Sequence, residues 1–167
     1  MYGKPLLASI VGGLILLMPQ SLAAAGTSLA GSWQFTLTPT TPPIPSVQIP
    51  GLATFHADGS AVETDGLEAA PGIGAAAGSV TYATPGHGIW QLMPCRCSYY
   101  IQYISVVVNP DGSLNAANTT TMTVALSSSG AQFNGAYTTV QANTSGMTKL
   151  IASGAVSGTL IPHPKLP

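Results

Sequence analysis

Two β-prone segments joined by a short cysteine-containing connection lie in the middle of the chain. Residues 84–108 read TPGHGIWQLMPCRCSYYIQYISVVV. Aromatic and β-branched residues are enriched here, as is typical of strands. Pro94 ends the first segment, because proline lacks the amide that a strand ladder requires. The stretch therefore predicts two neighbouring strands of an all-β domain, with the longer one over residues 98–108.

Strand patterns continue on both sides of this stretch. Residues 32–38 alternate between apolar and polar side chains, with Trp33, Phe35 and Leu37 on one face, which is the pattern of a half-buried strand. Further runs of this kind follow one another at short spacing. No amphipathic helical window of useful length interrupts them. The pattern indicates about eight strands in sequence.

Short turns connect the predicted strands. Asp58-Gly59-Ser60 and Asp111-Gly112-Ser113 each lie between two such runs, and the glycine supplies the positive φ that tight hairpins need. A series of hairpins either exposes two unpaired edges or closes on itself, and about eight strands close a barrel that side chains can fill. We therefore predict an all-β fold, a single eight-stranded antiparallel up-and-down barrel over residues 26–161, in preference to a β-sandwich.

The two ends of the chain differ from the predicted barrel. Lys4 precedes an apolar run from Leu6 to Met18, and small residues follow, which is the order of a secretory signal peptide. The run is shorter than the roughly 20 residues with which a helix crosses a bilayer. Residues 1–25 are therefore predicted to be a signal peptide, and the mature chain is expected to be secreted or periplasmic without a stable membrane span. Residues 162–167 form a proline-rich tail.

Charged residues are scarce in this chain. They make up 5% of it, against about 25% in an ordinary globular domain, and Lys and Arg together number only 4. So few cations cannot neutralise a run of phosphates, and nucleic acid is therefore excluded as a partner. Hydrophobic residues reach 46%, which is enough for a sizeable core. A small hydrophobic ligand remains a possible partner, and the oligomeric state is left open.

A set of short motifs is spread over much of residues 28–161. They are Gly31-Ser32-Trp33, residues 54–62 (TFHADGSAV), residues 84–90 (TPGHGIW), Phe133-x-Gly135 and residues 157–161 (SGTLI). The first resembles the Gly-x-Trp signature of lipocalins and related calycins, and the whole set is similar to a group of secreted bacterial lipocalin-like proteins. The resemblance implies an eight-stranded barrel, closed at one end by the Trp, that binds a small apolar molecule. It implies no known reaction.

Aromatic residues that recur at strand spacing are the main candidates for the barrel interior. Together with one histidine, the candidate ligand-binding residues are Trp33, Phe35, Phe55, His87, Trp90, Tyr103, Phe133 and Tyr137. Each aromatic either packs in the core or lines a pocket, and a Tyr hydroxyl inside a barrel needs a partner. Small residues at inward positions, among them Ala53, Gly135 and Gly158, leave volume that is either a cavity or filled by neighbours.

Titratable residues give few signs of catalysis. His87 lies between two glycines at a predicted strand entrance, so it is either a ligand-facing donor or base, or a rim histidine that holds a loop. The three histidines lack the spacing of a metal site, and we expect neither a metal nor a cofactor. Glu63 and Asp65 share one face of a strand and are expected to point outward. No catalytic residue is assigned.

The two cysteines lie two positions apart in the connection. Cys95 and Cys97 lack the Cys-x-x-Cys spacing of oxidoreductases, and no second pair completes a zinc site. In an oxidising compartment they form either a local disulfide or a bridge between molecules.

Three hypotheses for function follow from the sequence. The first is a secreted barrel that binds a small hydrophobic or aromatic molecule in its interior. The second is a barrel-type isomerase or cyclase in which His87 and a tyrosine such as Tyr103 guide a reactive substrate. The third is a structural envelope protein whose core is filled. Saturable binding of an apolar probe separates the first two hypotheses from the third.

Overall fold

The computed structural model describes residues 28–40, 47–66, 81–95 and 97–162. The predicted signal peptide and all but the first residue of the proline-rich tail lie outside the described residues. The described residues form strands and no helix, which confirms the all-β class. The strands are β1 (Gly31–Pro39), β2 (Ile49–Phe55), β3 (Ser60–Asp65), β4 (Tyr82–Ala83), β5 (Gly86–Leu92), β6 (Tyr99–Val108), β7 (Leu114–Leu126), β8 (Gln132–Asn143) and β9 (Thr148–Leu160).

The strands close into a barrel because the first pairs with the last. Trp33 of β1 faces Ala53 of β2 on one side and Leu160 of β9 on the other. The remaining pairs run in the order β2-β3-β5-β6-β7-β8-β9, and every one is antiparallel. The prediction of a closed eight-stranded antiparallel barrel is therefore confirmed, with β4 as one extra short strand. Closure pairs β1 along both of its sides, so the first strand of the described residues has no free edge.

β4 and β5 lie end to end along the same side of β6. Ala83 pairs with Val107 and His87 pairs with Ile104, so the register shifts by one residue between them. Pro85 lies at this shift, between the two strands. Proline has no amide hydrogen to donate to a strand ladder, and here it falls where the ladder is already interrupted. The Thr84 hydroxyl accepts a hydrogen bond from the Val106 amide at 3.0 Å, so a side chain satisfies the backbone group at the interruption.

One end of the barrel is closed by large apolar side chains, and we call it the closed end. Leu29, Trp33 and Phe133 are fully buried there, with at most 1% of each exposed. The Trp33 and Phe133 ring centroids are 5.1 Å apart. The Trp33 indole Nε1 donates to the Leu29 carbonyl at 2.9 Å, so its polar atom is satisfied inside the core. Leu160, the residue paired with Trp33, packs against this core.

The small inward residues near the closed end are covered rather than left as open volume. The Phe35 ring lies over Gly51, and the Phe133 ring lies over Gly158, so closely that a Cβ at either glycine would overlap the ring. At Gly135 the backbone of β7 lies close to the glycine itself, so a Cβ there would overlap the Thr123 carbonyl. Of the two possibilities raised by the sequence, neighbours therefore fill the space at these glycines.

Candidate functional site

The side chains buried in the barrel interior differ between its two halves. Aromatic side chains occupy the closed half. The other half, toward the ends of β1 and β3 and the start of β5, we call the far half, and its buried residues are not aromatic. They include Leu37 and Ile49 as well as Gly86, Ser105, Val107, Ala116 and Ala152.

Seven of the eight sequence-predicted interior residues do face the interior. Trp33, Phe35, Phe55 and Phe133 are buried in the core of the closed half. Trp90 is half-buried and packs against that core; its indole Nε1 donates to the His56 carbonyl at 2.8 Å. The other two, Tyr103 and Tyr137, are buried between the two halves, with 4% and 3% of each residue exposed.

His87, the one histidine among the interior candidates, lies on the outer face of the barrel. Its side chain is exposed, and its partners across the outer face are Val62 on β3 and Ile104 on β6. The physical reason is the alternation of β5, where Gly86, Gly88 and Trp90 take the inward positions. His87 and Tyr103 therefore lie on opposite faces of the barrel wall, and they do not form a common site.

The expectation that Glu63 points outward is wrong. Only 5% of Glu63 is exposed, and the hairpin register places it on the inward face with Ala61. Its partner across the ladder is Gly86, and a Cβ at Gly86 would overlap both the Glu63 carboxylate and the Tyr103 ring. The absence of a side chain at this position is therefore what lets Glu63 and Tyr103 approach each other.

Glu63 could have been assigned from the sequence by following the hairpin register. Phe55 was predicted to face inward, and the Asp58-Gly59 turn pairs Phe55 directly with Ala61. Directly paired residues share a face, and the side-chain period of a strand is two, so Glu63 and Asp65 follow Ala61 inward. Glu63 was nevertheless expected to point outward, because acidic side chains are rarely buried in proteins.

Tyr103 has a buried phenol beside this carboxylate. Its oxygen has no hydrogen-bond partner among the described residues. Burial, with the negative charges of Glu63 and Asp65, raises the pKa of Tyr103 well above its usual value, so the group stays protonated. The Thr120 hydroxyl offsets a small part of this rise, although no hydrogen bond of normal geometry joins the two. Thr120 instead bonds the Thr139 hydroxyl at 2.9 Å.

Tyr137 is the second phenol of the interior. Its oxygen also has no hydrogen-bond partner among the described residues. Burial, together with the nearby Asp65 carboxylate, raises the pKa of Tyr137 to about 12. We refer to Glu63, Asp65, Tyr103 and Tyr137 as the polar cluster. It presents two hydroxyl donors and two carboxyl groups to the interior of the barrel, whose other buried polar residues within the described ranges are Ser105, Thr120 and Thr139.

Titration of the two phenols predicts loss of stability at alkaline pH. The unfolded chain releases the Tyr137 proton near its usual pKa of 10, whereas the folded chain holds it to about 12. The unfolded state therefore binds fewer protons between these values, and this contribution to stability is complete below pH 10 and lost as pH rises through 12. In an alkaline titration, phenolate absorbance is expected to rise in an early component near pH 10 and in a late component at higher pH. The late component is expected to coincide with unfolding.

Two variants test the assignment of that late component. Tyr137→Phe is expected to reduce it, whereas Tyr82→Phe, which changes an exposed side chain, leaves it unchanged. A late component of equal size in Tyr137→Phe would contradict the assignment.

The chemistry available to the polar cluster is hydrogen bonding and charge. Protonated phenols donate, and a carboxylate accepts or stabilises positive charge. No group of three His, Cys, Asp or Glu within the described ranges is arranged to hold a metal ion. The part of the chain that the structure describes contains no helix long and apolar enough to cross a membrane.

The cysteines lie far from the polar cluster. Cys95 and Cys97 are joined by a disulfide in the connection between β5 and β6 at the closed end, with their Cα atoms 5.2 Å apart. The Ser98 hydroxyl in the same connection donates to the Met93 sulfur at 3.2 Å. These contacts place the bridge outside the barrel interior, so it shapes a turn and does not line the candidate site.

Comparison of the chain with protein-family models, with curated proteins and with solved structures found no match. The observed barrel is compatible with a lipocalin-like fold, and the lipocalin-like family itself stays a prediction.

Proposed function

We propose that the protein is an exported barrel that binds a small molecule, with an apolar body and a polar group, in the far half of its interior. The observation that carries this proposal is the pair of buried phenols. The Tyr103 and Tyr137 hydroxyls have no hydrogen-bond partner among the described residues, and leaving a buried donor unsatisfied costs about 1–3 kcal/mol. A ligand that supplies acceptors to both hydroxyls recovers that free energy.

The lining of the barrel supports the same location. Aromatic rings fill the closed half, whereas the far half is lined by Gly86, Ser105, Ala116 and Ala152 beside the larger Leu37 and Ile49. A small apolar ligand body fits best where the lining side chains are small, with the polar cluster at its inner end.

Export of the chain is supported by two features. The N-terminal residues carry the pattern of a signal peptide, and the Cys95–Cys97 disulfide suits an oxidising compartment. N-terminal sequencing of the protein recovered outside the cytoplasm tests the export step, with a mature chain beginning near Ala24 to Gly26 as the expected result.

Tyr137→Phe is expected to weaken binding without weakening the fold. The substitution removes a hydroxyl that has no partner among the described residues, so the unfolding free energy of the ligand-free protein stays unchanged or rises. Affinity for Nile red, a neutral apolar dye with a carbonyl acceptor, falls about threefold to tenfold because one hydrogen bond is lost. Fluorescence titration and urea unfolding measure the two effects.

Tyr82→Phe is the matched control, because it removes a phenol from an exposed position outside the lumen. It is expected to leave Nile red affinity unchanged. A filled, purely structural barrel would show no saturable Nile red binding at all, and that result would overturn the proposed function. Equal losses of affinity in both variants would place the dye on the outer surface and would also overturn it.

An enzyme built on His87 and Tyr103 is not supported. The two side chains lie on opposite faces of the barrel wall, so no single small substrate reaches both.

A further inference from the structure

The two buried tyrosines lie on either side of β7 and face the same interior. Tyr103 of β6 pairs with Thr120 of β7, and Tyr137 of β8 pairs with Met122 of β7. Thr120 and Met122 are two positions apart on one strand, so they share its inward face, where both are buried. The two tyrosines are therefore separated by two strand spacings, which is about 10 Å across the barrel wall.

Barrel closure directs the two tyrosine side chains toward a common axis. Inward side chains of a closed eight-stranded barrel converge, because its interior is only wide enough for side chains or for one small ligand. The Tyr137 phenol contributes to the raised pKa of Tyr103, so the two phenols are close enough to interact. One small ligand group in the interior can therefore contact both hydroxyls.

Neighbouring hydroxyl groups leave both phenols unsatisfied. Thr120 faces Tyr103 across the ladder, but its hydroxyl is bonded to the Thr139 hydroxyl at 2.9 Å. The phenol oxygens of Tyr103 and Tyr137 have no hydrogen-bond partner among the described residues. The pKa of each phenol lies above its usual value, so both are protonated at neutral pH and each has a hydrogen to donate. The interior therefore offers two donors that need an acceptor.

A carbonyl oxygen suits two converging donors. It has two lone pairs and can accept a hydrogen bond from each phenol. Unlike a water molecule or an ammonium group, it carries no hydrogen that itself needs an acceptor. A neutral carbonyl also avoids the free-energy cost of bringing a charge into an apolar interior.

We infer that the ligand of the barrel is a neutral carbonyl compound, such as an aromatic ketone, whose oxygen accepts hydrogen bonds from both Tyr103 and Tyr137. The inference rests on the proposed function, since it specifies the ligand class of the same site. The apolar body of the ligand extends from the phenols into the far half of the lumen. The two hydrogen bonds weaken the carbonyl double bond, so its infrared stretching frequency falls when the ligand binds.

Acetophenone and ethylbenzene test the inference, because they share a phenyl ring and a two-carbon side chain and differ in the carbonyl oxygen. Calorimetry at neutral pH gives the ratio of their affinities for each protein, and their different transfer from water cancels when variants are compared. The ratio of acetophenone affinity to ethylbenzene affinity is expected to fall about threefold to tenfold in Tyr103→Phe, since one hydrogen bond is lost. A fall of similar size is expected in Tyr137→Phe, while ethylbenzene binding persists in both variants.

The carbonyl stretch of bound acetophenone gives a second measurement. In the unaltered protein it is expected to lie below its value in an apolar solvent, and in each Phe variant it is expected to move back toward that value. The measurement in the unaltered protein does not depend on whether a variant folds. Tyr82→Phe is the matched control, because it removes an exposed phenol and is expected to leave both the affinity ratio and the stretch unchanged.

The possible outcomes separate the inference from the proposed function. An affinity ratio that falls in only one of the two interior variants, or in neither, overturns the shared carbonyl and leaves the binding barrel in place. A carbonyl stretch equal to that in an apolar solvent, or an equal fall of the ratio in Tyr82→Phe, does the same. Failure of both probes to bind a protein that binds Nile red saturably also overturns the inference alone. If neither probe binds and Nile red also fails to bind, the proposed function is overturned with it.

Discussion

Trp33→Ala is expected to lower the free energy of unfolding by about 3–5 kcal/mol, the range for removing a large buried aromatic side chain. Trp33 is fully buried at the closed end of the barrel. The substitution removes its contact with Phe133, where the ring centroids are 5.1 Å apart. It also leaves the Leu29 carbonyl without the indole donor that now lies 2.9 Å from it. The loss therefore combines a cavity with an unsatisfied acceptor.

Urea unfolding of Trp33→Ala and Trp33→Phe separates these two contributions. Trp33→Phe keeps most of the apolar body and removes only the indole donor, so it is expected to cost clearly less than Trp33→Ala. A cost below about 1 kcal/mol for Trp33→Ala, which is typical of surface substitutions, would show that the closed end is not the core of the barrel.

Gly135→Ala is expected to destabilise the barrel by about 1–3 kcal/mol or more, through overpacking rather than loss of contacts. Gly135 pairs with Val124 across β7 and β8. A Cβ at this position would overlap the Thr123 carbonyl, which belongs to the backbone. The strands must therefore separate at this point, and backbone cannot give way as cheaply as the end of a flexible side chain.

Gly66→Ala is the control for Gly135→Ala, because both add the same methyl group. At Gly66 the nearest atom to a new Cβ is a Pro50 ring carbon at 3.5 Å, which is ordinary van der Waals contact. That variant is expected to be neutral or slightly stabilising, since alanine restricts the unfolded chain. Thermal unfolding of both variants measures the difference, and equal midpoints would contradict the close approach of β7 and β8.

Much of the fold could be predicted from local patterns. The alternation of Trp33, Phe35 and Leu37 predicted β1 and its inward face, and all three residues are buried. The Asp58-Gly59 and Asp111-Gly112 turns were predicted from the positive φ that glycine allows, and both glycines adopt it, with φ of 90° and 81°. These features were accessible because they depend on residues that are neighbours in sequence.

The candidate site was less accessible to such patterns. Seven of the eight candidates lie in the interior, because large aromatics at strand spacing are usually buried. His87 was a candidate, beside its alternative as a rim histidine, because flanking glycines allow close approach, yet those glycines take the inward positions themselves. Glu63 was assigned outward because acids are rarely buried, and its burial depends on Gly86 from a different strand.

The sequence by itself determined that this chain forms successive antiparallel strands with an apolar face, because turn chemistry and side-chain alternation act over a few residues. The tertiary structure decided which face of β5 looks inward and which residues meet across the lumen. Closure of β1 on β9 brings Glu63, Tyr103 and Tyr137 into one interior, although 74 residues separate the first from the last in their numbering. Such contacts depend on strand register around the whole barrel, since a shift of one residue would turn each side chain to the other face.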